Sequence, residues 1–224
     1  MIFVYYIKYF FYIAFNWNIR LAVFSLYHEI RGERKYDIRT SVLDDLQHLA
    51  VKGDNRSEAE IYQGAGYYLL ETIFIQLRKL HAPYDIIDVG CGKGRVMVVA
   101  AHYGFNKITG IDFAQALCRE AENNCSIITN RFPQTEWRVI HANAADFKFR
   151  KSDRVFFFFN PFKEPVMTQV IKNILQSLNE YPRKIFVVYM NPQHKILFTR
   201  AGFKEVFNIK KMQFVDAVIF KKGP

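Results

Sequence analysis

Only three cysteines occur among the 224 residues, Cys91, Cys118 and Cys125, an odd number without a CxxC pair. That excludes a disulfide framework, offers no zinc-ligand spacing and suits a reducing compartment such as the cytosol. The six histidines include no HxH or HxxxH pair, so no metal is expected. No Gly-Lys-Ser or Gly-Lys-Thr triplet is present, which excludes a Walker-type phosphate loop. Internal repeats and low-complexity tracts are missing as well. Long uninterrupted apolar runs are also scarce. The first 27 residues are strongly apolar, yet Lys8, Asn16, Asn18 and Arg20 break them up, and the longest uncharged run there is Tyr9–Ile19. A membrane-spanning helix needs roughly 18 apolar residues, and burying Lys8 at mid-bilayer would cost ~3 kcal/mol. A secretory leader should begin basic and end in small residues, and this segment does neither.

What is present is apolar and aromatic. Half the chain is hydrophobic and 17% is aromatic, so a large core can be buried and disorder is excluded. The formal charge of +10 favours acidic partners such as nucleic acid or anionic membrane. The cations are scattered, however, and no aromatic-interleaved basic motif marks an RNA-binding module. The aromatic N-terminus reads as a helical extension over residues 1–60, docked on a domain covering 61–224. The competing reading is a peripheral membrane contact through residues 1–27, with Arg31, Arg34, Lys35 and Arg39 facing anionic lipid.

From Ala65 onward the pattern alternates between apolar strands and amphipathic helices. Strands are expected at Tyr84–Val89, Lys107–Asp112, Glu136–His141, Arg154–Phe159 and Lys184–Met190. Helices are expected at Ala65–Leu80, Lys93–His102, Ala114–Asn124, Pro165–Leu178 and His194–Ala201. The last two strands, Glu205–Ile209 and Phe214–Lys221, are joined by too few residues for a parallel crossover and must form a hairpin. The fold class that follows is α/β: a doubly wound, Rossmann-like, seven-stranded sheet, mostly parallel, with one antiparallel strand near the C-terminus and an N-terminal helical extension.

In such a sheet, ligands bind beyond the carboxyl ends of the strands. Gly90, Gly92 and Gly94 follow the first strand of the series, in DVGCGKGR. Glycines there permit positive φ and close approach of a ligand to the backbone. A dinucleotide site needs G-x-G-x-x-G, and here Arg95 holds the sixth position, so a nucleoside-type ligand without pyrophosphate fits better. Asp112 ends the next strand in GIDF, where a carboxylate can accept both hydroxyls of a ribose. Asn143 and Asp146, in ANAADF, stand where an adenine amine would find an acceptor.

The ordered set DVGCGKGR, GID, ANAAD and FFFFNPF resembles the class I S-adenosylmethionine-dependent methyltransferases over roughly Asn55–Lys221. Upstream, YDIRTS and IYQGAGYYLLETI resemble the opening region of a broad group of bacterial methyltransferase-like proteins. The resemblance implies S-adenosylmethionine as cofactor. Its methionine part would lie on Gly90, Cys91, Gly92 and Gly94, supported by Asp88 and covered by Tyr62. Asp112 with Phe113 would hold the ribose, and Asn143, Ala144 and Asp146 the adenine. Asn160-Pro161-Phe162 resembles the [DN]-P-P-[YF] motif of enzymes that methylate planar nitrogens, with one proline missing. Asn160 would then hold the target nitrogen and Phe162 would stack on it, and a second Asn-Pro, Asn191-Pro192, could line the same cleft.

The expected function is therefore methyl transfer to a nitrogen in nucleic acid or protein, with a small-molecule acceptor still open. A catalytically silent cofactor-binding or scaffold protein is the alternative.

Overall fold

The computed structural model describes residues 2–40, 64–159, 162–213 and 215–223, with side chains from Tyr5 onward. Two helices, α1 (Ile2–Asn16) and α2 (Ile19–Tyr36), precede α3 (Tyr67–Lys79). Then come β1 (Asp85–Val89), α4 (Arg95–His102), β2 (Lys107–Asp112), α5 (Gln115–Arg131), β3 (Glu136–His141), β4 (Val155–Phe159) and α6 (Glu164–Glu180). The chain ends with β5 (Ile185–Met190), α7 (Lys195–Arg200), β6 (Lys204–Lys211) and β7 (Val215–Lys222). The seven strands form one sheet in the order β3-β2-β1-β4-β5-β7-β6. Only β7 runs against its neighbours, pairing antiparallel with both β5 and β6. The hairpin closes through Met212 and Gln213, two successive residues with φ of 52° and 66°. Strand order reverses between β1 and β4, which opens a crevice at their carboxyl ends.

The continuous apolar strands follow from burial on both faces. Along β4, Val155 and Phe157 join the core under α3 and α4, while Phe156 and Phe158 join the one under α6 and α7. Strand β5 divides the same way, Phe186, Val188 and Met190 on one side, Ile185, Val187 and Tyr189 on the other. A period of two thus serves two hydrophobic layers at once.

Helix boundaries differ more from the sequence reading. Helix α5 continues past Asn124 to Arg131, because Cys125 and Ile128 prolong the buried stripe of Leu117, Cys118 and Ala121. The charged stretch after His28 is also helical. Glu29, Gly32, Glu33 and Tyr36 form the buried face of α2. Gly32 is required there, since a Cβ would come within 2.1 Å of the Tyr67 ring. The break between α1 and α2 is set by Asn18, whose side chain accepts from the Leu21 N–H at 2.8 Å as an N-cap.

Candidate functional site

After β1 the chain turns through Gly90, Gly92 and Gly94, with φ of 85°, 52° and 78°. These left-handed values are open to glycine at little cost. The loop is tied to the next strand: Gly90 and Cys91 donate their N–H groups to the Ile111 carbonyl at 2.8 and 2.9 Å. Asp112 closes the connection. Its Oδ2 accepts from the Gly92 N–H and its Oδ1 from the Ala114 N–H, both at 2.9 Å. Burial pushes the Asp112 carboxyl up, while these N–H groups act in the opposite direction.

Asp88 lies behind the loop, 2% exposed, and its Oδ2 has no hydrogen-bond partner among the described residues. Burial pushes its carboxyl well above the usual range, and the nearby charge of Asp112 adds to that. An orphaned buried carboxylate oxygen beside a glycine cradle is what an amine- and hydroxyl-bearing adenosyl ligand would satisfy.

Cys91, Cys118 and Cys125 are all buried around this loop. The Cys118 thiol points to the Asp112 carbonyl at 3.5 Å, and burial pushes its pKa up to about 12. All three are packed in the interior. Phe113 is half-buried, and its carbonyl lies 2.9 Å from His141 Nε2. Beyond β3, Asn143 and Asp146 make one turn: Asn143 Nδ2 donates to Asp146 Oδ2 at 3.0 Å, and the Ala145 N–H donates to Asn143 Oδ1 at 3.0 Å. Ala144 is buried between them, 4% exposed.

Tyr62, Asn160 and Pro161 lie outside the described residues. Phe162 is 9% exposed and belongs to the core cluster beside Met167 of α6. Its ring is therefore a packing group in this structure and not an open stacking platform, because the chain entering α6 turns it inward. Asn191 does stand at the cleft, with φ of 48° and its N–H donating to the Asp216 carbonyl at 2.9 Å.

Two features had no counterpart in the sequence reading. The first is a cavity of about 330 Å³ at the carboxyl ends of β4 and β5, closed by α1, α2, the start of α3 and the β6–β7 turn. Its walls carry the rings of Tyr9, Trp17, Phe24, Tyr67, Tyr68 and Phe159, and Asn191 and His28 also face it. Burial, and then Arg31, hold the His28 imidazole below its usual pKa, so it stays neutral. The second is the anchor of this cover. Arg95 donates to Thr40 Oγ1 at 2.7 Å and to the Ala65 carbonyl at 3.0 Å, it pairs with Glu29, and its guanidinium lies 4.3 Å over the Tyr67 ring. The only hint in the sequence was that an arginine displaced the glycine of a dinucleotide loop.

Among the described residues no group of three or more His, Cys, Asp or Glu is gathered for a metal ion, and no helix is long and apolar enough to cross a membrane.

Comparison with known proteins gives the same reading of the glycine-loop half. Residues 86–181 match the family described as "Methyltransferase domain". No curated protein matches the chain. Solved structures with this fold include magnesium protoporphyrin IX methyltransferase from Synechocystis PCC 6803 with S-adenosylmethionine bound, at 13% identity and TM-score 0.53, covering 69% of this chain and 77% of that one. The methyltransferase domain of bacterial CtHen1 is similar at 15% identity and TM-score 0.54, covering 70% of this chain and 97% of that one. The tRNA (uracil-54, C5)-methyltransferase of Pyrococcus abyssi, in complex with S-adenosylhomocysteine, matches at 15% identity and TM-score 0.52, covering 70% of this chain and 38% of that one. At such identities the likeness is one of fold. Residues 86–181 thus match a methyltransferase domain, and the sheet that carries them has the fold of methyltransferases solved with S-adenosylmethionine or S-adenosylhomocysteine bound.

Proposed function

We propose that this chain transfers a methyl group from S-adenosylmethionine to a nitrogen of nucleic acid or protein, with the target group inserted singly into the aromatic cavity. The observation that carries the proposal is that this cavity lies at the carboxyl ends of β4 and β5, on the same edge of the sheet as the glycine loop, which follows the adjacent strand β1. In an open α/β sheet that is where a cofactor and its reaction partner meet. The net charge of +10 supports an acidic macromolecule as donor of the target group.

When bound, the cofactor supplies an electrophilic methyl on a cationic sulfur. The residues proposed to hold it are Asp88 and the loop Gly90–Gly94 at the methionine end, Asp112 at the ribose, and Asn143, Ala144 and Asp146 at the adenine. Tyr62 would cover the methionine end, and Asn160 would hold the target nitrogen. Binding and alignment can account for much of the acceleration, since the reaction needs no covalent enzyme intermediate. The half-buried ring of Phe159 can lie against a planar group and exclude water from it, while neutral His28 can receive the proton that the methylated nitrogen loses.

The test is calorimetric titration with S-adenosylmethionine, S-adenosylhomocysteine and NAD, followed by transfer of labelled methyl to RNA, DNA and protein fractions. Binding of the adenosyl pair, lost in Gly92→Arg and Asp112→Ala, with label in one macromolecular fraction, is the expected result. Cofactor binding without label in any fraction would favour a silent scaffold.

A further inference from the structure

Helix α1 is largely apolar, with Lys8 its one charge, and the fold uses only one of its faces. Ile13 is 5% exposed and Tyr6 donates to Glu33 at 2.8 Å, so that side is docked on α2. The opposite side carries Phe11 at 50% and Phe15 at 84% exposure, on the same stripe as Ile7. Helix α2 continues the exposed surface with Ile19, Val23 and Tyr27, again four residues apart. Trp17 stands at the tip between the helices, 42% exposed and 5.8 Å from the Tyr12 ring. Of the thirteen large apolar side chains exposed among the described residues, eight fall between Ile7 and Tyr27. A helix of a soluble domain normally turns polar residues outward, so this concentration marks a surface that something apolar covers.

Charge selects what covers it. Lys8 and Arg20 are exposed on the same two helices, and no acidic residue precedes Glu29, which is itself buried against Arg95. A second copy docked here about a two-fold axis would bring these cations onto a patch with no acid to meet them. An anionic lipid surface supplies both the apolar layer for the rings and the negative headgroups for the cations. Helix α1, with 15 residues, reaches only about 22 Å, short of the roughly 30 Å hydrocarbon core, so it lies on the bilayer and does not span it.

We propose that α1 and the first half of α2 form a docking surface for an anionic membrane, with Phe11, Phe15, Trp17, Ile19 and Val23 in the headgroup region and Lys8 and Arg20 on the lipid phosphates. The surface stands on its own observations and does not depend on which group the domain methylates.

Flotation of the full chain with vesicles of phosphatidylcholine alone, or mixed with phosphatidylglycerol, tests this. The expected result is flotation with the mixed vesicles, reduced at least about tenfold by Phe11→Ser with Phe15→Ser, and by Lys8→Glu with Arg20→Glu. Both pairs are exposed, so circular dichroism and S-adenosylmethionine affinity should be unchanged, which separates loss of docking from loss of fold or of cofactor binding. Fluorescence quenching by brominated lipid, lost in Trp17→Phe while flotation persists, would fix the depth of the tip. Wild-type protein that floats with neither vesicle overturns the proposal, as does flotation unaffected by the phenylalanine substitutions. A dimer seen by light scattering and dissolved by those substitutions would assign the patch to a second copy instead.

Discussion

The guanidinium of Arg95, first residue of α4, is paired with the carboxylate of Glu29 on α2, their side chains only 3% and 6% exposed. The pair fastens the N-terminal cover to the helix that begins at the glycine loop. Two charges this far from water are tolerated because each is matched, and Thr40 and the Ala65 carbonyl take up remaining guanidinium hydrogens.

Breaking that pair should be costly, and removing it whole should be less so. Glu29→Gln or Arg95→Met is expected to lower stability by about 3–5 kcal/mol, because each leaves a buried charge or polar group unmatched. The double substitution Glu29→Leu with Arg95→Met should recover part of this loss. Thermal melts of the three variants decide it. A double variant no more stable than the worse single one would mean that the bonds to Thr40 and Ala65, not the charge pair, carry the contact.

Asp88 should show a conflict between stability and binding. Its carboxyl is raised by burial, so the folded state holds a proton that the unfolded chain releases above its ordinary pKa of 3.8. The folded state is therefore penalised as pH rises from that value through the raised folded pKa. Asp88→Asn removes the penalty, and a gain of about 1 kcal/mol would raise the melting temperature of ligand-free protein by about 2–4 °C near neutral pH, with no gain in acid. The same change should weaken S-adenosylmethionine binding, measured by calorimetry.

Two glycine-to-alanine changes separate strain from mere presence of a methyl group. At Gly94 a Cβ would lie 3.0 Å from the Cys125 sulfur and 3.2 Å from Ala121, on a backbone with φ of +78°. Gly94→Ala should cost about 1–3 kcal/mol and reduce cofactor affinity. At Gly66 a Cβ meets nothing within 4 Å, so Gly66→Ala should melt within about 0.5 kcal/mol of wild type.

His28 should set the acid limb of activity if it receives the acceptor's proton. Its pKa is lowered from 6.5 by burial, then by Arg31 and Lys211, with Glu71 opposing. Activity is then expected to persist below pH 6.5 and fall only as the imidazole protonates, and His28→Asn should lower kcat and flatten that limb. The same shift makes the folded state bind fewer protons than the unfolded one, so stability is retained above pH 6.5 and declines as pH falls through the lowered folded value. An unchanged pH–rate profile in His28→Asn would remove the residue from the reaction.

Local pattern was enough for the sheet and the glycine loop. The run Val155–Phe159 had to be a strand buried on both faces, and the few residues joining the last two strands had to make a hairpin. Gly90, Gly92 and Gly94 after a strand announced a turn of left-handed backbone, and Asp112 at the next strand end is bound to it through Gly92. Each of these depends on neighbours close in sequence, where period and spacing carry the information. Tertiary structure alone decided that Arg95 is an anchor for Glu29, 66 residues away, that Phe162 turns into the core, and that α1 and α2 close an aromatic cavity over β4 and β5. Partners this distant leave no periodicity in the chain. Which of several equally apolar faces is buried, and which charge meets which, follows only from the packing that brings them together.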